Sequence, residues 1–377
     1  MKKVQLRRNG KGDWEFLGEK QALVNPLVLV FGDRLVLESI AIYEEVSEIF
    51  ENAHVVIGSS CGEITNHSIE EEKVVATAIE FEKSKYIVKK SNLLESGQDS
   101  FKAGKELIEQ FPVEGLKYVF VLSEGSFVNG SRLTQGMVSS SPPEVLITGG
   151  LCGDSERFEK TIASYNEEPK EGEIIAVGFY GNDIEVSFSS YGGWTRFGPQ
   201  RTVTKSDGNV LYELDGKPAL DLYKTYLGDK SKELPSAALL YPLDVQLEGE
   251  EQSIVRTVLG IDEEKNAMIL AGDISEGCKV FLMMSNIDNL VYASEKAVQQ
   301  ANSGREKEVE LAILISCIGR KLVLDQRVEE EVENLAGTIG DKPTICGFYS
   351  YGEIVPFDGE STCKLHNQTI TITLISE

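Results

Sequence analysis

Short, unbroken apolar runs alternate along this chain with stretches whose apolar positions recur every three or four residues. Residues 27–31 (LVLVF) and 54–58 (HVVIG) have the first pattern, which marks strands buried on both faces. Between them, residues 38–50 set Ile42, Val46 and Ile49 on one helical face. The order returns with 118–122 (YVFVL), a helical stretch near 129–140 and the run VLIT at 145–148. After Gly149 come β-rich segments at 161–164, 174–179, 184–189, 202–205 and 210–214, then a helix over 218–227 with Gly228 just past its end. The polar stretch GDKSKELP at 228–235 ends in proline and marks a domain boundary. Beyond it the pattern predicts strands at 237–245, 254–261 and 280–284 and a helix near 290–302. A strand at 311–316, a helix at 325–336 and strands at 344–348 and 368–375 complete it. The expected fold class is α+β to α/β. Two domains, 25–228 and 236–377, each hold a mixed sheet with packed helices, after an N-terminal extension over 1–24.

One passage is echoed. Residues 32–38 read GDRLVLE and residues 319–325 read GRKLVLD. Each follows a buried run and precedes an amphipathic helix, a strand and a near-identical turn. The turns are Ser60-Cys61-Gly62-Glu63-Ile64 and Ser350-Tyr351-Gly352-Glu353-Ile354. Common strand–helix vocabulary is the plain explanation. Agreement of order, spacing and both end motifs favours a duplicated strand–helix–strand unit, one copy per domain, facing each other about a pseudo-twofold. Ligand sites form at such junctions, at the carboxyl ends of parallel strands.

Composition narrows the function. The 377 residues carry 37 Lys and Arg against 61 Asp and Glu, a net charge of −24. Such a surface repels nucleic acid and anionic membranes. The basic residues Lys2, Lys3, Arg7, Arg8 and Lys11 read as a solvated arm. The six cysteines, at 61, 152, 278, 317, 346 and 363, show no CxxC pair and no metal-ligand spacing. Reduced, buried thiols in a cytoplasmic protein are expected. The start has no apolar run behind its positive charge, so neither a signal peptide nor a membrane span is expected.

The motifs IGSSCGEI at 57–64, GGLCGD at 149–154, GGW at 192–194 and LDGKPALDLY at 214–223 resemble the N-terminal domain of the FIST family. YPLDV from Tyr241, IVRTVLGID, SCIGR at 316–320, GFYSYGEIVP at 347–356 and LHNQTITI at 365–372 are similar to its C-terminal domain. The resemblance implies an intracellular sensor of small molecules such as amino acids. Some members of the family are described as haem-binding nitric-oxide sensors. Fused output domains are common in the family, so a stand-alone chain is expected to signal to a separate protein.

Several constellations follow. GSSCG at 58–62 fits the G-x-S-x-G elbow of serine hydrolases, but a β-like run rather than a helix follows it. Cys61 has no evident base. Glu63 and Glu353 could accept an ammonium group or brace their own turns. Arg320 stands where the first copy has Asp33, and could fork onto a ligand carboxylate or pair with Glu353. Of His54, His67 and His366, only His366, beside Asn367, suits an axial haem ligand, and no CxxCH motif is present. Gly149 and Gly150 form a sharp turn rather than a phosphate cradle, since no P-loop lysine follows. The leading expectation is a non-enzymatic binding protein with no cofactor and no metal. Its small ligand lies between the domains near Ser60, Cys61, Glu63, Arg320, Ser350, Tyr351, Glu353, His366 and Asn367.

Overall fold

Alternation inside the apolar runs decides the architecture. A computed structural model describes residues 1–377 except 11, 67, 235, 248–251, 358 and 361, so His67 lies outside the described residues. In the strand Leu27–Gly32, Leu27, Leu29 and Phe31 enter one buried cluster while Val28 and Val30 enter another. Each such side chain contributes about 1.5–3 kcal/mol when buried. A slip of one residue would exchange the faces, so the register is fixed.

Three units share this plan. In the first, Leu27–Gly32 pairs in parallel with His54–Ser59, with helices Arg34–Ser39 and Ile42–Ile49 between them. In the second, Leu116–Ser123 pairs with Leu146–Leu151 around the helix Gly130–Ser140. In the third, Leu311–Cys317 pairs with Thr344–Ser350 around helices Ile318–Leu324 and Glu330–Ile339. In every unit a later strand, Val74–Glu80, Glu173–Tyr180 or Ile370–Ser376, lies antiparallel to the first. Each unit thus sits in its own six-stranded sheet. The sheets turn one face to a common core, where Phe31 stacks on Phe348 at 4.6 Å and Tyr118, Thr148 and Thr373 form a hydroxyl chain. The helices cover the outer faces.

The expected duplication is therefore part of a cycle of three, and the relation is threefold rather than twofold. After its second parallel strand, each unit passes its chain to a neighbour. Glu63–Ile64 joins the third sheet, Gly352–Pro356 joins the second, and Ala163–Tyr165 joins the first. The two halves suggested by sequence are interleaved.

The described residues of 1–24 are not a loose arm; Lys11 lies outside them. The strand Lys2–Arg8 runs antiparallel to Val74–Glu80, burying Val4 and Leu6. Its basic side chains are paired, Lys2 with Glu80, Arg7 with Glu70 and Arg8 with Glu45.

A fourth layer spans 195–284. Eight strands and the helix Ala219–Leu227 surround a separate core. Thr195–Asp207 pairs with Lys279–Met284, and Val210–Leu214 with Ala267–Leu270, so the expected boundary at 228–235 falls inside this layer. The chain enters through Gly192–Trp194 and leaves through Ser285–Asn286. Ser285 Oγ donates to the Gly193 carbonyl at 2.7 Å, holding the two crossings side by side.

Candidate functional site

The three turns that hand the chain from unit to unit meet at the centre of the cycle. Cys61 N donates to Tyr349 O at 2.9 Å, Tyr351 N to Leu151 O at 3.2 Å, and Gly153 N to Ser59 O at 2.9 Å. These bonds make Ser60, Cys152 and Ser350 equivalent. A methyl group on Gly153 would overlap the Cys61 sulfur, so only glycine admits this convergence.

Two of the turns carry the same Ser-x-x-Glu pair. Ser60 Oγ donates to Glu63 Oε1 at 2.6 Å, and Ser350 Oγ to Glu353 Oε1 at 2.7 Å. Both acids are fully buried. Burial pushes Glu63 up to about 8 and Glu353 up to about 7, each partly offset by its serine. Their second oxygens differ. Glu353 Oε2 accepts from Thr369 N and Oγ1, at 3.2 and 2.8 Å. Glu63 Oε2 has no partner among the described residues.

The middle turn is built differently. Asp154 accepts from Arg34 Nε and Arg157 Nε, both at 2.8 Å, and lies below the usual carboxylate range because these bonds outweigh its burial. Arg157 also reaches Asp33, the cap of the first helix, at 2.6 Å. Sequence reading missed this network, whose members are far apart in the chain and share no motif.

Arg320 is fully buried and touches neither a cavity nor Glu353. Its Nε and Nη2 fork onto Glu331 Oε1 at 2.9 and 2.6 Å. Nη2 and Nη1 also donate to the carbonyls of Leu290 and Gly192, at 3.0 and 2.5 Å. The side chain thus ties the entry crossing at Gly192 and the helix Ile287–Asn302 that follows the exit crossing to the third unit.

Two cavities flank the converging turns. The larger, about 390 Å³, lies between the fourth layer and the three-sheet core. The loop 125–130, Leu151, Phe158, Cys317–Gly319 and Tyr351 form one wall, and Asn209, Leu239, Thr257, Leu259 and 270–272 the other. Phe158 stacks on Tyr351 at 4.7 Å, leaving Phe127, Phe158 and Leu259 exposed around it. Among the described lining residues the charged one, Glu159, is paired with Arg34 at 2.8 Å. Thr257 is buried, and its Oγ1 has no partner among the described residues. Behind the lining residues Leu239 and Gly319, the Gln368 amide donates to Leu239 O at 3.0 Å while its own oxygen has no partner among the described residues. Neighbouring Asn367 has neither amide atom engaged among the described residues.

The second cavity, about 370 Å³, is polar and lies on the other side of Ile318. Cys61, Gly62 and Glu63 line it together with Asp33, Arg157 and Lys321. Of the residues expected at a site, then, Tyr351 lines the first cavity, Cys61 and Glu63 the second. Ser60, Ser350, Glu353, Arg320, His366 and Asn367 line neither.

These placements bear on the alternatives. The Ser60 hydroxyl is enclosed and committed to Glu63. Burial pushes the Cys61 thiol far above its ordinary value, which suppresses the thiolate. His366 stands edge-on to Phe357 at 4.9 Å and lines no cavity. Burial and the nearby Arg256 charge lower it to about 3. A haem needs a cavity facing its axial nitrogen, so these residues do not fit one. All six cysteines are free and buried, and no helix among the described residues is long and apolar enough to cross a membrane.

Known proteins add the following. The chain is 25% identical over 246 residues to "Uncharacterized protein MJ1623" of Methanocaldococcus jannaschii, covering 59% of this chain and 46% of that one. It spans about half the length of that relative. The crystal structure of cyanuric acid hydrolase from A. caulinodans aligns with 93% of this chain and 90% of its own, at 7% identity and a TM-score of 0.33, too slight a likeness to carry an argument. The FIST N domain matches residues 26–217 and the FIST C domain matches 219–356. With these two matches in succession over most of its length, the chain belongs to the FIST family, whose domains are associated with small-ligand sensing.

Proposed function

We propose that the chain is a sensor whose ligand occupies the larger cavity, between the fourth layer and the three-sheet core. The observation that carries this reading is the cavity's position. It is walled by two separately cored bodies joined through two adjacent crossings. A ligand touching both walls favours the arrangement in which they are close, by its difference in affinity for the two states. A separate partner protein then reads the changed relation of the bodies.

The lining indicates the ligand's chemistry. Aromatic and aliphatic side chains line the cavity beside Thr257, whose hydroxyl has no partner among the described residues, and the cavity's charged lining residue, Glu159, is paired with Arg34. An uncharged, partly apolar molecule with hydrogen-bonding groups suits this wall better than a zwitterionic amino acid. A buried hydroxyl without a partner costs about 1–3 kcal/mol, which a ligand hydrogen bond recovers.

A thermal-shift screen of uncharged heterocyclic metabolites beside free amino acids tests the proposal. A ligand at about 100 times its dissociation constant adds about 2.7 kcal/mol. Thr257→Val keeps the shape and removes the hydroxyl, so affinity should fall about tenfold while the ligand-free melting temperature holds or rises. A ligand whose binding ignores Thr257→Val, or a response confined to zwitterions, would overturn the reading.

A further inference from the structure

The equivalence of the turns makes the difference between Glu63 and Glu353 informative. Both acids are fully buried, and both give one oxygen to the serine three residues earlier. At Glu353 the second oxygen receives two donors from Thr369. At Glu63 the corresponding oxygen has no donor among the described residues, and the residue lines the second cavity. An unpartnered buried carboxylate oxygen is costly. Where the third unit supplies a donor from its own chain, the first supplies none among the described residues, and its acid borders a cavity.

The surroundings decide which donor fits. Asp33, Glu63, Glu71, Glu72, Glu156 and Asp325 line this cavity, against Arg157 and Lys321. Neither cation is free for a ligand anion. Arg157 is paired with Asp33 at 2.6 Å and Asp154 at 2.7 Å. Lys321 Nζ holds Glu71 at 2.6 Å and the Cys61 carbonyl at 2.7 Å. The lysine reaches that carbonyl across Gly62, whose φ of +141° and lack of a side chain leave the path open. The five acids besides Glu63, against two engaged bases, give a negative field. Among the described residues no group of three or more His, Cys, Asp or Glu is arranged to hold a metal ion. An organic cation with N–H donors meets both demands.

We infer that the second cavity binds the ammonium group of a primary amine, and by its acidic rim a diamine or polyamine, with Glu63 Oε2 accepting the hydrogen bond. Burial holds Glu63 near a pKa of about 8. A bound cation would stabilise the ionised carboxylate, in place of the Thr369 donors that serve Glu353. Lys321, Asp33 and Ser60 are the other groups that set its charge.

Calorimetric titration with 1,4-diaminobutane tests this, with its mono-N-acetyl derivative, glycine and magnesium chloride as comparisons. Saturable diamine binding that survives about 0.15 M salt is expected. Glu63→Gln should weaken it by about tenfold or more, since a charge-assisted bond is lost. Glu353→Gln, at an equivalent acid already satisfied, should leave it within about twofold. Should Glu63→Gln fold poorly, Glu72→Gln with Asp325→Asn on the rim serves instead, and diamine affinity should fall more than that of the mono-acetyl compound. Thr257→Val should not alter diamine binding, which separates this site from the proposed sensor cavity. Equal losses in Glu63→Gln and Glu353→Gln, binding of glycine or magnesium in preference to the diamine, or diamine binding that salt abolishes would each overturn the inference.

Discussion

A carboxyl group whose pKa is raised by burial couples the fold to pH. Glu63 and Glu353 start from an ordinary value of 4.5 and stand at about 8 and about 7 in the folded chain. Each holds its proton more tightly folded than unfolded. Its contribution to stability is therefore complete below about pH 4.5 and is lost as pH rises through 7 to 8. Scanning calorimetry at intervals between about pH 5 and 8 should show the melting temperature declining less steeply in Glu353→Gln than in the parent chain. Identical slopes would mean the carboxyl is ionised throughout. At Arg320 the expectation concerns geometry. Arg320→Lys keeps the charge but cannot serve Glu331, Leu290 and Gly192 together, and should cost about 3 kcal/mol in chemical denaturation. The sequence left Arg320 open between a ligand and Glu353. Its true partner, Glu331, sits on a helix whose acids all look like surface residues in one dimension.

At the scale of elements, the parallel strands were legible because both their faces are buried, which leaves no polar alternation to confuse the reading. The turns at 60–64 and 350–354 were legible because they share four residue types. The third member of the cycle was not. Its turn reads Cys152-Gly153-Asp154, and its acid serves Arg34 and Arg157 instead of a serine. Nor was the first strand, although Val4 and Leu6 alternate with polar neighbours, because the charges around them dominate the pattern. The walls of the larger cavity come from segments with no motif, such as Thr257 and 270–272, brought together only by the fourth layer. The convergence of the turns gives a test at this scale. Gly153→Ala should destabilise by about 1–3 kcal/mol through overpacking. Cys61→Ala in the same chain should recover part of that loss, because it removes the sulfur the new methyl would meet. Additive effects in denaturant titrations would show that the two positions do not share the space.

For the whole molecule, the two bodies bear on the two cavities differently. The fourth layer supplies one wall of the larger cavity and none of the residues of the smaller. A ligand of the first should protect backbone amides in both 195–284 and 125–130 from hydrogen exchange, whereas a diamine should protect only the turns around 61–63 and 155–157. Protection by either molecule across the other's region would show that the cavities act as one.

The two crossings of the fourth layer have a further consequence. Because Gly193 and Ser285 are hydrogen-bonded neighbours, residues 195–284 begin and end at one point on the surface of the three-sheet core. The layer is topologically a graft, spliced into a ring that closes without it. A chain in which a short glycine linker replaces 195–284 has its cut ends already in place, and the ring of three turns keeps every strand it needs. Such a miniature should retain the diamine pocket and forfeit the sensor cavity. Grafts of other sequence at the same splice could then redirect what the ring responds to without rebuilding the ring.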